Sequence, residues 1–88
     1  MPYQIRIDRD ALKALTALSA KLRRQIGAKI DSLRDNPFPP GCKKLNDDLH
    51  RIRSGDYRIV YTVMEKQILI YVLRIGDRKE VYKHLPGR

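Results

Sequence analysis

The sequence predicts an α+β fold in which an N-terminal strand and a helical hairpin pack on an antiparallel sheet. Three observations carry this expectation: polar–apolar alternation over residues 3–8, apolar residues at helical spacing between 11 and 33, and a return to strand periodicity from Leu49 to Ile75. The chain has 88 residues, enough for one modest core and too few for two, so one domain spanning 1–88 is expected.

Tyr3, Ile5 and Ile7 alternate with Gln4, Arg6 and Asp8, the pattern of a strand with one buried face. Asp8 suits an N-cap because its carboxylate can accept from the free amides of a first helical turn, and Ala11, Leu12, Leu15 and Leu18 then follow at helical spacing. Ser19 can cap a second helix, in which Leu22, Ile26, Ile30 and Leu33 form one stripe with Lys21, Arg23, Arg24 and Lys29 off it. Asn36-Pro37 stops that helix, since proline disfavours helical geometry at the preceding residue, and Phe38-Pro39-Pro40-Gly41 continues as a loop.

Beyond the loop the pattern reads as a meander: strand Leu49–Arg53, turn Ser54-Gly55-Asp56, strand Tyr57–Val63, a turn near Met64-Glu65-Lys66, and strand Gln67–Ile75. The last of these is apolar on both faces, with Ile68, Ile70 and Val72 against Leu69, Tyr71 and Leu73, which suits an inner strand.

Nineteen Lys and Arg against ten Asp and Glu give a net charge of +9, a surplus that attracts nucleic acid or an acidic protein. The basic residues occupy both halves of the chain, so a positive surface has to be assembled by folding rather than carried on a tail. A lone Cys42 excludes an internal disulfide, and no signal-like or membrane-spanning apolar run is present, so a cytoplasmic protein without membrane attachment is expected.

Metal and nucleotide chemistry have no motif: Cys42, His50 and His84 are dispersed, no acidic cluster has ligand spacing, and the glycines occur singly. No cofactor, metal or small-molecule ligand is therefore expected. What remains is cationic. Arg51 and Arg53 lie two apart on one strand face, and a tight turn brings Arg58 onto the neighbouring strand. By pattern alone they fit two roles equally, solvated charges that discourage edge-to-edge strand pairing or a phosphate site. Tyr82, by pattern alone, is a packing residue on the final strand. Glu80, Tyr82 and His84 are alternative proton handlers, of which His84 has the ordinary pKa closest to neutrality, although an exposed histidine near a terminus needs no special role.

The stretch Leu-His-Arg-Ile-Arg-Ser-Gly-Asp-Tyr-Arg-Ile-Val-Tyr at 49–61 resembles the signature of RelE-type toxins, and Ile-Gly-Asp-Arg-Lys-Glu-Val-Tyr at 75–82 resembles their second motif. The likeness extends over nearly the whole chain, in the right order. It implies the RelE-like microbial RNase toxin fold and a ribosome-dependent mRNA endoribonuclease that inhibits translation. It further implies cleavage in the decoding site by the ribose 2′-hydroxyl, leaving a cyclic phosphate, with a cognate RelB-like antitoxin as silencing partner.

Carried over by position, the resemblance implies that Arg51 and Arg53 line the RNA path and that Arg58 clamps a phosphate. Arg78 would reach the scissile phosphate or leaving oxygen, Lys79 would add an RNA contact, and Tyr82 would stack on or orient a base. Arginine suits the phosphate role because its planar fork stays charged and can contact two oxygens at once. Some relatives place lysines where this chain has Arg51 and Arg53, which leaves the general base unassigned. Two other functions fit the same fold: a ParE-like toxin that inhibits DNA gyrase by protein contact, and an RNA-binding module without catalysis.

Overall fold

A computed structural model of the chain describes residues 2–82. The elements run β1 (Gln4–Ile7), α1 (Arg9–Thr16), α2 (Ala20–Ser32), β2 (Lys43–Lys44), β3 (His50–Ser54), β4 (Tyr57–Met64), a 3-10 turn (Glu65–Gln67) and β5 (Leu69–Asp77). They form one sheet of order β1-β5-β4-β3-β2. Strands β2 to β5 are antiparallel neighbours, as expected of a meander, and β1 joins the far edge in parallel with β5, pairing Gln4 with Leu69 and Ile7 with Val72.

Both helices start where side chains can satisfy their free amides. Asp8 Oδ2 accepts from Asp10 N at 3.1 Å, and Ser19 Oγ accepts from Leu22 N at 3.3 Å. Asp8 also ties the helix start to the sheet, because its Oδ1 accepts from Tyr71 Oη at 3.1 Å and its Oδ2 lies 3.8 Å from an Arg74 guanidinium nitrogen. Within α1 the buried residue is Ala11, while Leu12 is 47% exposed. The expected apolar stripe of α1 is thus narrower than the sequence suggests, because Leu12 sits a hundred degrees around the helix from Ala11.

The inner face of the sheet meets the helices. Ile26, Ile30 and Leu33, three of the four stripe positions of α2, pack with Ala11 against Ile52, Ile59, Tyr61, Ile70, Val72 and Ile75. Each fully buried aliphatic side chain contributes about 1.5–3 kcal/mol relative to exposure, so this layer supplies most of the stability. The proline loop is fastened to the same layer: Tyr61 Oη donates to Pro37 O at 2.6 Å and lies 3.2 Å from Cys42 Sγ.

The outer face carries a smaller cluster of Leu49, Val60 and Val81, with Leu45, Leu73 and Tyr82 packed beside it. Val81 reaches this cluster because the chain reverses after β5. Asp77 Oδ1 accepts from Lys79 N at 3.1 Å and Glu80 N at 3.0 Å, and Val81 N donates to Asp77 O at 3.2 Å, closing a turn over the sheet. Val81 packs close over Gly76, where a β-carbon would stand in ordinary contact with the Val81 backbone at 3.5 Å. Tyr82 therefore belongs to this turn and not to the last strand.

Candidate functional site

The hairpin between β3 and β4 fixes the arginines. Its two-residue turn, Gly55-Asp56, places Gly55 at φ +62°, a conformation glycine adopts without steric cost, and sets Ser54 opposite Tyr57. That register puts Arg53 directly opposite Arg58 and Arg51 opposite Val60. On the other side, the short β2 sets Lys43 opposite Arg51. Side chains two apart on a strand share a face, so Arg51, Arg53, Arg58 and Lys43 all project to the outer side, away from the helices.

The turn after β5 completes the arrangement. Arg78 and Tyr82 are four residues apart in a helix-like turn, which brings their side chains to the same side. Together Lys43, Arg51, Arg53, Arg58, Arg78 and Tyr82 line one open concavity of about 310 Å³. The five residues the sequence singles out as catalytic all border it. Lys79 does not; it is exposed and lies beside the rim, with its backbone amide engaged by Asp77. Glu80 is exposed and also does not line the pocket. His84 lies outside the described residues.

Among the described residues the pocket arginines form no ion pair. No carboxylate of a described residue lies within 4 Å of the guanidinium nitrogens of Arg51, Arg53, Arg58 or Arg78; the ion pairs found elsewhere are Arg34–Asp31, Lys44–Asp47 and Arg74–Asp8. Arg58 is held by main-chain oxygens, one nitrogen donating to Gly55 O at 3.3 Å and Tyr57 O at 3.5 Å. This anchors the fork from one corner. Arg51 is only 6% exposed, and its Nε has no hydrogen-bond partner among the described residues. A buried donor without a partner is costly, and Arg51 keeps that cost while lining the pocket. The site can therefore gather and hold phosphate oxygens with planar, permanently charged donors.

His50, next to Arg51 in β3, belongs to the other face. Its ring stands edge-on to Phe38 at 4.9 Å and 5.9 Å from the Tyr61 ring. Burial, and then the nearby Lys44 charge, hold its pKa below 6.5. Among the described residues no group of three or more His, Cys, Asp or Glu could hold a metal ion, and no helix is long and apolar enough to cross a membrane.

One lining residue was not legible in the sequence. Lys43 sits in a two-residue edge strand within a polar loop, where no periodicity marks it. The signal that could have found it is indirect: Cys42-Lys43-Lys44 precedes β3 by just the length of a tight antiparallel return.

A family model described as ParE toxin of type II toxin–antitoxin system, parDE, matches residues 5–82. Among curated proteins, the chain is similar to a RelE-like toxin protein of Escherichia coli, 33% identical over 87 residues that cover 93% of this chain and 92% of that protein. It is also similar to the mRNA interferase toxin RelE of Escherichia coli K12, 29% identical over 98 residues covering 100% of this chain and 98% of that one. Among solved structures, it resembles the archaeal RelE–RelB complex from Pyrococcus horikoshii OT3, with a TM-score of 0.77 at 30% identity over 91% of this chain and 99% of the matched one.

Proposed function

Because the chain belongs to the RelE/ParE superfamily of type II toxins, we propose that it is the toxin of a toxin–antitoxin pair, an endoribonuclease that cleaves messenger RNA in the ribosomal decoding site. The observation that carries this reading is the convergence of four arginines and Tyr82 on one concavity, with Arg51 buried there and its Nε unpartnered among the described residues.

The chemistry follows from the residue types. Attack of a ribose 2′-oxygen on the adjacent phosphorus requires the 2′-oxygen, phosphorus and 5′-oxygen in line, and positioning alone lowers such a barrier considerably. Charge then accumulates on the phosphoryl oxygens, where fixed guanidinium donors stabilise the transition state more than the ground state. In this reading Arg58, braced on Gly55 O and Tyr57 O, clamps the phosphate. Arg78 meets the scissile phosphate or leaving oxygen. Arg51 and Arg53 line the RNA path, and Lys79 extends the contact beyond the rim. Tyr82 offers an aromatic face on which an unstacked base can settle.

The silencing partner is an antitoxin of RelB type, as in the similar archaeal complex. A net charge of +9 favours rapid capture by an acidic partner, and covering the arginine pocket suffices for inhibition. The cytoplasm is the compartment in which ribosome and messenger would be met.

A ParE-like action on gyrase is the second reading, favoured by the description of the matched family model. Inhibition by protein contact requires no anion pocket, which is why the nuclease reading is preferred. The deciding experiment adds purified protein to programmed ribosomes and maps new RNA ends by primer extension, alongside a gyrase supercoiling assay. New ends without loss of supercoiling support the nuclease; intact messenger with blocked supercoiling supports the alternative.

A further inference from the structure

Cleavage by a 2′-hydroxyl moves two protons: one leaves the nucleophile and one must reach the departing 5′-oxygen. Arginine keeps its protons under all physiological conditions, so Arg51, Arg53, Arg58 and Arg78 can stabilise charge without transferring a proton. Of the described side chains lining the pocket, that leaves Lys43 and Tyr82. Tyr82 is partly buried against the Leu49, Val60 and Val81 cluster, in keeping with an orienting role. Lys43 is exposed at the opposite rim and pairs with no described carboxylate within 4 Å, unlike its neighbour Lys44, which lies 3.8 Å from Asp47. Its position is not accidental to the loop: β2 consists of two residues, and their pairing with β3 sets Lys43 directly opposite the buried Arg51. Of the other described candidates, His50 stands with Phe38 and Tyr61, and Glu80 is off the lining.

Resting on the nuclease reading above, we infer that Lys43 is a catalytic residue, the general acid that protonates the leaving 5′-oxygen. The 2′-oxygen forms a bond to phosphorus while the bond from phosphorus to the 5′-oxygen breaks, and that electron pair goes to the 5′-oxygen. The 5′-oxygen takes a proton from the Lys43 ammonium, the 2′-hydroxyl proton passes to water, and the amine regains a proton from water. The products are a 2′,3′-cyclic phosphate and a 5′-hydroxyl. The transfer runs downhill because an alkoxide is far more basic than an amine.

The test uses programmed ribosomes carrying a messenger with either the natural 5′-oxygen or a bridging sulfur at the scissile position; sulfur departs without protonation. Lys43→Arg keeps the charge and removes the transferable proton. On the oxygen substrate it is expected to be slower by about 10²–10⁴-fold, the usual contribution of general acid catalysis. On the sulfur substrate it is expected to match wild type within a few-fold, which also shows that the variant is folded and binds messenger. Wild-type rates with the oxygen substrate, or the same deficit with both substrates, would overturn the assignment and leave the nuclease intact. If wild type cuts neither substrate, the nuclease reading fails and the assignment with it.

Discussion

Arg51 makes a prediction in which stability and function move in opposite directions. The side chain is 6% exposed, its Nε lacks a partner among the described residues, and its cross-strand neighbour is another cation, Lys43. Replacing it with methionine keeps an unbranched side chain of similar length and removes the charge together with the orphaned donor. A buried unsatisfied donor costs about 1–3 kcal/mol, more when charged. The like-charge contact with exposed Lys43 is screened and adds little. Arg51→Met is therefore expected to stabilise the free toxin by about 1–3 kcal/mol. In a domain of this size 1 kcal/mol moves the melting temperature by roughly 4–8 °C, so a rise on the order of 5–20 °C is expected.

The same variant should cleave ribosome-bound messenger more slowly, because it removes one of the positive charges that line the pocket. Thermal melts followed by circular dichroism, with and without a short RNA carrying a 2′-deoxy block at the cleavage step, measure both sides. RNA should raise the wild-type melting temperature more than that of the variant, narrowing the gap between them. An Arg51→Met protein that melts below wild type would refute the reasoning, since Arg51 would then be holding the fold together.

Arg58→Ala and Arg78→Ala should each lower the cleavage rate by about 10²–10³-fold, the loss seen on removing one fixed donor to a developing negative charge, with folding and antitoxin binding retained; full toxicity of both variants in cells would reject their roles. Val81→Ala removes two buried carbons at about 0.8 kcal/mol each and frees the turn that carries Arg78 and Tyr82. Urea unfolding should show a loss of about 1.5 kcal/mol, and messenger cleavage should fall as well; unchanged cleavage would mean that the turn is dispensable. His50 is held below its ordinary 6.5 in the fold, so the unfolded chain takes up its proton first as pH drops. Its contribution is complete above 6.5 and is lost as pH falls through the folded value; His50→Gln should flatten this acid limb of the melting-temperature profile, and an identical limb in the variant would assign it to another group.

Much of this was legible in the sequence for local reasons. Asp8 and Ser19 act as caps because capping involves residues two or three apart, and the Gly55-Asp56 turn fixes the β3–β4 register within a few residues of the arginines it aligns. Period two then places Arg51, Arg53 and Arg58 on one face without any tertiary information. What the sequence did not reveal depends on distant contacts. The parallel pairing of β1 with β5 joins residues more than sixty positions apart, and Arg51 is buried only once the rest of the fold closes around it. Lys43 enters the pocket through a two-residue pairing too short to leave a periodic trace. Leu12 shows the converse, a large apolar side chain at a helical position that tertiary packing leaves in solvent.

The two readings of the arginines that composition leaves equal are separated by where each side chain lies. Charges that protect a sheet edge belong on edge strands and work by staying solvated. Lys43, on the edge strand and exposed, satisfies that description, and Arg53 approaches it because β2 ends before reaching its level. Arg58 does not, since β4 is hydrogen-bonded on both sides, and Arg51 does not, since it is buried between β2 and β4. Two directly opposed cation pairs, Lys43 with Arg51 and Arg53 with Arg58, bring no benefit to an otherwise ordinary sheet and are mildly unfavourable even where solvent screens them. Neutral residues at Arg51 and Arg58 would relieve both pairs and leave the charged edge at Lys43 in place. The arrangement gains an advantage only when negative charge enters between the pairs, and all four cations line the one open concavity where it could do so.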